Sequence, residues 1–217
     1  MNDGDSSRYD ARRRYMVEAQ LRARGIHDSR VLKAMLQVPR HEFVPAELRA
    51  QAYEDGPLSI GEEQTISQPL IIAISLQALS LNGSESVLEV GTGSGYQTAL
   101  LSLLGKYVYS VERHAPLAQR AETTLGQLGF RNVKVTVGDG SQGWKEYAPY
   151  DAILVSAAAP AVPRSLVEQL ADPGRMVVPV GPPHTQELQL IRKQGSAIAA
   201  CTLEGCRFVP LIGAEGY

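Results

Sequence analysis

The feature that most constrains this chain is Val87-Leu88-Glu89-Val90-Gly91-Thr92-Gly93-Ser94-Gly95. A short apolar run breaks into three glycines separated by single residues, and a helix-forming stretch, Tyr96-Gln97-Thr98-Ala99-Leu100, follows at once. A strand, a glycine turn and a helix in this order open a doubly wound α/β sheet. The rhythm persists downstream. Apolar segments at 86–90, 107–111, 133–137, 152–155 and 175–180 read as strands, and segments at 95–104, 116–128 and 166–170 read as helices between them. Short connections between alternating strands and helices require right-handed crossovers and a mostly parallel sheet covered on both faces. Two further segments, 188–191 and 197–201, read as antiparallel strands that complete it.

The first third is different in character. Residues 10–24 are rich in Ala, Arg, Glu and Leu and predict a helix that Gly25 stops, while the polar residues before them are expected to fray. Asp28 is placed to cap a second helix carrying Val31, Leu32, Met35 and Leu36, which Pro39 ends. The turn-rich stretch 53–68 predicts a loop or short hairpin, and Pro69 opens a mostly buried helix to Leu81 that Asn82-Gly83 closes. The expected fold is α/β, a Rossmann-like doubly wound sheet with an N-terminal helical cap. Residues 1–82 form the cap and a loop for substrate and cofactor, and residues 83–217 form the core.

Composition narrows the function. The formal net charge is −2 and the pI about 6.1, so a general basic face for nucleic acid is not indicated. No run approaches the roughly 18 apolar residues of a membrane span, and the polar start does not read as a secretory signal. Two cysteines, Cys201 and Cys206, make no disulfide framework and fit a reducing, cytoplasmic setting.

The candidate chemistry sits at strand ends. In a doubly wound sheet a ligand binds beyond the carboxyl ends of the strands, where glycines let it approach the backbone and the next helix offers free N–H groups. Glu112 ends the second strand, 21 residues after Gly91, where a carboxylate accepts hydrogen bonds from ribose hydroxyls. Asp139-Gly140 follows the third strand, where it can read the amino edge of an adenine. Taken singly, these are a structural turn, a solvated strand end and another turn; together, at three successive strand ends, they point to an adenosyl ligand. The spacing departs from G-x-G-x-x-G, because the third glycine arrives one residue early, and the Walker sequence is absent. Glu89 would repel a pyrophosphate but suits an ammonium group. S-adenosylmethionine, held by Glu89, Gly91, Gly93, Gly95, Glu112, Asp139 and Gly140, is therefore the expected cofactor, and no metal is expected. The four histidines are scattered and none reads as a general base. The small residues Ser156-Ala157-Ala158-Ala159-Pro160 after the fourth strand leave room for a substrate. On the residues alone, a methyltransferase for nucleic acid or a small metabolite, a dinucleotide oxidoreductase and a binding module without turnover remain alternatives.

Several segments resemble the protein-L-isoaspartate (D-aspartate) O-methyltransferase family. The most specific is Gln64-Thr65-Ile66-Ser67-Gln68-Pro69, together with Arg207-Phe208-Val209-Pro210-Leu211. Val38-Pro39-Arg40-His41-Glu42-Phe43-Val44-Pro45, Tyr53-Glu54-Asp55-Gly56-Pro57-Leu58 and Ala148-Pro149-Tyr150-Asp151 are similar as well, so the resemblance runs over nearly the whole chain from about Tyr9. Leu70 after the proline is a minor departure. The resemblance implies methyl transfer from S-adenosylmethionine to the free α-carboxylate of isoaspartyl residues, and to D-aspartyl residues, in damaged proteins. The ester then closes to a succinimide, and hydrolysis returns part of it to aspartate. It implies Ser67 as the hydroxyl that orients the acceptor, although the same side chain could instead cap the helix at Pro69. It implies that Gln64, Thr65 and Ile66 line the cofactor, and that Val209 and Leu211 hold the substrate backbone. The expected partners are isoaspartyl proteins and peptides rather than nucleic acid or membrane, for a monomer in the cytoplasm.

Overall fold

From Asp3 onward the backbone is helical in the computed structural model, which describes residues 3–217. Met1 and Asn2, part of the stretch expected to fray, lie outside the described residues. Helix α1 (Asp3–Tyr15) continues through a π-helical stretch, Met16–Leu21, and a 3-10 turn, and ends where Gly25 takes a φ of +92°. Met16, Val17 and Leu21 are fully buried and fasten this segment to the core. Asp28 accepts the backbone N–H of Arg30 at 2.9 Å and starts α2 (Ser29–Gln37), as its side chain and position predict. A hairpin, β1 (Leu58–Gly61) and β2 (Gln64–Ile66), fills the middle of the turn-rich stretch. Helix α3 (Pro69–Leu79) begins at its proline but ends earlier than expected. Ser80, not Asn82-Gly83, takes the left-handed closing conformation at φ +48°, and its hydroxyl bonds the Gln77 carbonyl at 3.1 Å.

The main sheet contains β3 (Ser86–Val90), β4 (Tyr107–Glu112), β5 (Val133–Val137), β6 (Tyr150–Val155), β7 (Leu170–Val180), β8 (Gln186–Gln194) and β9 (Ala197–Cys206). Helices α4 (Tyr96–Leu104), α5 (Ala115–Gln127) and α6 (Arg164–Gln169) make the crossovers. The order across the sheet is β5-β4-β3-β6-β7-β8-β9, with β3 to β7 parallel and the last two strands antiparallel. After β3 the chain builds outward in one direction to β5, then crosses to the other side for β6. The gap beyond the carboxyl ends of β3 and β6 is thus the switch point at which ligands bind. Strands β7, β8 and β9 are longer than their apolar segments predict. Their ends continue as backbone pairing with little apolar side chain to mark it, and most of β9 is exposed.

Alternate residues of each strand enter opposite layers of the core. Val87, Ala152, Leu154 and Val177 pack with α2, α3, α4 and the N-terminal helices. Leu88, Val90, Ile153, Val155, Met176 and Val178 pack with Leu166 of α6 and Tyr150. The first layer runs without a break from Met16 to Leu190, so the cap residues and the sheet share one apolar core.

Candidate active site

The glycine turn after β3 is fastened on both sides. Gly91 donates to the Val111 carbonyl at 2.8 Å, and Val90 accepts from the Ser156 N–H at 2.8 Å, so the ends of β4 and β6 hold the turn between them. Gly91 has a φ of +91°, and a Cβ built on it would stand 3.4 Å from that of Ser156. Glu112 is 4% exposed and directs its carboxylate back at the turn, accepting from Gly93 N at 2.8 Å and His114 N at 2.9 Å. Each oxygen keeps further acceptor capacity. Gly140 packs so closely beneath β3 that an added Cβ would lie 2.4 Å from a methyl of Val90.

These elements line a partly open cleft at the switch point. Gly91, Gly93, Glu112 and Gly140 line it from the sheet, Gln64, Thr65, Ile66 and Ser67 from the hairpin and its exit, and Val209 and Leu211 from the C-terminal segment. A second groove lies alongside and is lined by Pro57, Gln68, Ile71 and residues 205–209. The two share four residues: Thr65, Ser67, Ser156 and Val209. The C-terminal segment is held there by main-chain bonds, Ala158 N to Val209 O at 2.8 Å and Leu211 N to Ala158 O at 2.7 Å.

Ser67 stands at this junction. Its hydroxyl does not cap α3: Gln68 occupies the N-cap position without a side-chain bond, and the Ser67 hydroxyl has no protein partner among the described residues. Its carbonyl accepts from Arg40 Nη2 at 2.8 Å, while Arg40 Nε donates to the Ala52 carbonyl at 2.7 Å. Arg40 is fully buried with its guanidinium 4.9 Å from the Tyr96 ring centre, and burial pushes its pKa down to about 10, so it stays charged at neutral pH.

Three expected ligand contacts fall elsewhere. Glu89 is fully buried and does not line the cavity; its carboxylate accepts from Thr98 Oγ1 at 2.5 Å, Ser110 Oγ at 2.6 Å and Gln97 Nε2 at 3.1 Å. Desolvation, aided by the nearby Glu112 charge, raises its pKa to about 7 against the opposing effect of these donors. Gly95 faces α5, where an added Cβ would meet Ala121 at 3.1 Å. Asp139 is taken up by Ser141 N at 2.9 Å, Ser141 Oγ at 2.7 Å and Ala214 N at 2.8 Å, and so pins the C-terminal turn. Sequence reading assigns no role to Gln97, Arg113 or Arg40, and places Ser156 only among small residues that leave room for a substrate. Three of these had a signal: Gln97 lies in the first turn of the helix after the glycines, and Arg113 and Ser156 each immediately follow a parallel strand, all ligand-facing positions by the strand-end rule.

A doubly wound sheet with a glycine turn, a strand-end carboxylate and a side groove opening on the same cavity defines a nucleoside-cofactor transferase of the methyltransferase class. The family model for protein-L-isoaspartate(D-aspartate) O-methyltransferase matches residues 11–216, and the chain belongs to that family. The protein-L-isoaspartate O-methyltransferase 1 of Syntrophobacter fumaroxidans is 52% identical over 202 residues, 93% of this chain and 94% of its own. The corresponding enzyme 2 of Geotalea uraniireducens is 53% identical over 209 residues, 96% of each chain. A solved protein-L-isoaspartate O-methyltransferase superposes with a TM-score of 0.83 at 32% identity, covering 94% of this chain and 67% of that one. A Plasmodium falciparum structure described as the same type of enzyme, in complex with S-adenosyl-L-homocysteine, gives 0.76 at 28% identity, covering 91% and 96%. No described helix is long and apolar enough to cross a membrane.

Proposed function

We propose that the chain methylates the free α-carboxylate of isoaspartyl residues, and the side-chain carboxylate of D-aspartyl residues, with S-adenosylmethionine in the glycine-lined cavity and the damaged peptide in the adjoining groove. The observation that carries this reading is the junction itself. Thr65, Ser67, Ser156 and Val209 join the two spaces, and none of the four is a base. An acceptor that must lose a proton during attack would need one. A carboxylate, with a pKa of about 4, is already ionised at neutral pH.

The donor set fits the cofactor. The Glu112 carboxylate has acceptor capacity left for a ribose diol, and Gly91, Gly93 and Gly140 line the same cavity. When bound, the cofactor supplies a methyl group on a positively charged sulfur. The protein's part is to hold the anionic acceptor in line and to keep water out. Positive and negative charge cancel as the methyl moves, so a dry junction favours the transition state over the separated charges. Orientation alone supplies roughly 7–11 kcal/mol in good cases. We assign Ser67 to orienting the acceptor, Gln64, Thr65 and Ile66 to covering the cofactor, and Val209 to holding the substrate main chain; Leu211, expected beside it, lines only the first cavity, and its N–H and carbonyl are taken up by Ala158 and Tyr217. Contacts through main chain read no sequence, which suits a repair enzyme with many clients.

The same reading gives residues 1–82 the role of cap and 83–217 that of cofactor-binding core. It has the enzyme work as a cytoplasmic monomer on proteins and peptides, without nucleic acid or membrane, in keeping with the net charge of −2. The test is transfer of labelled methyl from S-adenosylmethionine to a synthetic isoaspartyl peptide. A methyl ester that decays to the succinimide is expected; a methyl group that survives mild base, as on nitrogen, would refute the assignment.

A further inference from the structure

Gln97 makes two donor contacts from one nitrogen. Its Nε2 reaches Glu89 Oε1 at 3.1 Å and Ser156 Oγ at 2.5 Å. Glu89 is sealed beneath the cavity, and its other oxygen is already filled by the hydroxyls of Thr98 and Ser110. An ionised carboxylate only accepts, so it turns the N–H₂ end of the Gln97 amide toward itself and hence toward Ser156. The Ser156 oxygen is thereby an acceptor for Gln97, and its hydroxyl hydrogen must point elsewhere. Ser156 is half-buried and lines both the cavity and the groove. Its Oγ has no other hydrogen-bond partner among the described residues, which leaves the O–H available to the junction that Ser67 also lines.

We infer that Ser156 is a second hydroxyl donor to the acceptor carboxylate, paired with Ser67 across the junction, and that Gln97 is the positioning residue that sets its direction from Glu89. The inference rests on the proposed isoaspartyl reaction. A carboxylate has two oxygens, and one must be held while the other meets the methyl. Neutral hydroxyls do this without cancelling the negative charge that makes the acceptor a nucleophile, as an arginine at the same place would. Two donors also fix the plane of the carboxylate, where one leaves it free to turn about a single bond. The smallness of Ser156 has its own cause in the approach of Gly91, but that packing does not call for a hydroxyl.

The test compares the parent enzyme with Ser156→Ala, Ser156→Thr and Ser156→Val at about pH 8, where Glu89 is ionised. Three quantities are read: kcat/KM on an isoaspartyl peptide, calorimetric affinity for S-adenosylhomocysteine, and calorimetric affinity for the peptide with S-adenosylhomocysteine bound. Removing the hydroxyl in the Ala and Val variants should lower kcat/KM by about 10- to 100-fold and weaken peptide binding, with S-adenosylhomocysteine affinity within about twofold. The Thr variant, matched in shape to Val, should keep most of the activity. Gln97→Met should also lower kcat/KM in the parent background, and have little further effect when Ser156 is already Ala, because the amide acts through the hydroxyl. Equal kinetics for Thr and Val, additive losses from the Gln97 and Ser156 changes, or a loss confined to S-adenosylhomocysteine binding would each overturn the inference. A parent enzyme inactive on the isoaspartyl peptide would instead refute the proposed reaction, so the two failures are distinct.

Discussion

Arg40 Nη2 donates to the main-chain carbonyl of Ser67 at 2.8 Å, so a fully buried cation holds from behind the backbone that presents a hydroxyl to both cavities. Through its Nε the same guanidinium holds Ala52 at 2.7 Å, which ties the cap to the entrance of α3. Replacing Arg40 with Met keeps the bulk but leaves one buried and one half-buried carbonyl without their charged donor. The expected cost is about 2–4 kcal/mol of stability together with reduced turnover, since hydrogen bonds to charged groups contribute more than neutral ones. Urea denaturation checks the first part. An unchanged midpoint and slope would mean that the guanidinium contributes nothing beyond its packing.

Ser67 behaves differently because its hydroxyl caps nothing in the fold. Ser67→Ala should leave stability within about 0.5 kcal/mol and S-adenosylhomocysteine affinity nearly intact, while turnover on an isoaspartyl peptide falls at least about tenfold. Stopped assays and calorimetry on the same preparation separate these effects. Turnover at the parent rate would remove Ser67 from the reaction.

Glu112 joins the glycine turn to the cavity through Gly93 and His114. Glu112→Ala removes both the ribose acceptor and the brace on the turn. A loss of roughly 2–3 kcal/mol in S-adenosylmethionine affinity is expected, or about 30- to 150-fold in Kd. Full affinity in a folded variant would place the nucleoside elsewhere.

The raised pKa of Glu89 has a consequence for stability. The unfolded chain loses this proton near pH 4.5 and the folded protein only near 7, so the folded state binds more protons between those values. Its contribution is therefore fully present below pH 4.5 and is lost as pH rises to 7. Replacing the carboxyl by the amide in Glu89→Gln removes this titration. The difference in unfolding free energy, parent minus variant, should fall by about 3 kcal/mol across that window. Denaturant titrations at a series of pH values measure it directly, and a constant difference would show that Glu89 titrates alike in both states.

Much of the fold is legible in the chain, for physical reasons visible at particular residues. Strand β3 stands at the expected residues because its side chains are apolar and punctuated by glycine. Helix α2 starts where Asp28 caps it. The ends of β7 and β9 are hidden because they are set by pairing across the sheet, not by an apolar pattern within the segment. At the site, Gly91, Gly93, Glu112 and Gly140 were nameable because topology puts strand ends together. Glu89 shows the limit: whether a carboxylate beside a glycine turn faces a ligand or lies beneath it depends on Thr98 and Ser110, which come from other elements. Arg40 is hidden for a similar reason, since nothing local distinguishes a buried arginine 27 residues before its partner from a solvated one.

The most direct measurement of the central claim is methyl transfer to matched pairs of peptides that differ only in carrying an isoaspartyl or a normal aspartyl residue, in several unrelated sequences. Both members of a pair present an ionised carboxylate, so charge cannot separate them. In the normal form the carboxylate stands one carbon farther from the Cα. For a main chain held along the segment at Val209 this is a displacement on the order of 1 Å, enough to cost about a hundredfold in rate. The account predicts transfer to the isoaspartyl member of every pair, at rates at least about a hundredfold above its twin. Equal rates within pairs, or activity confined to one peptide sequence, would contradict it.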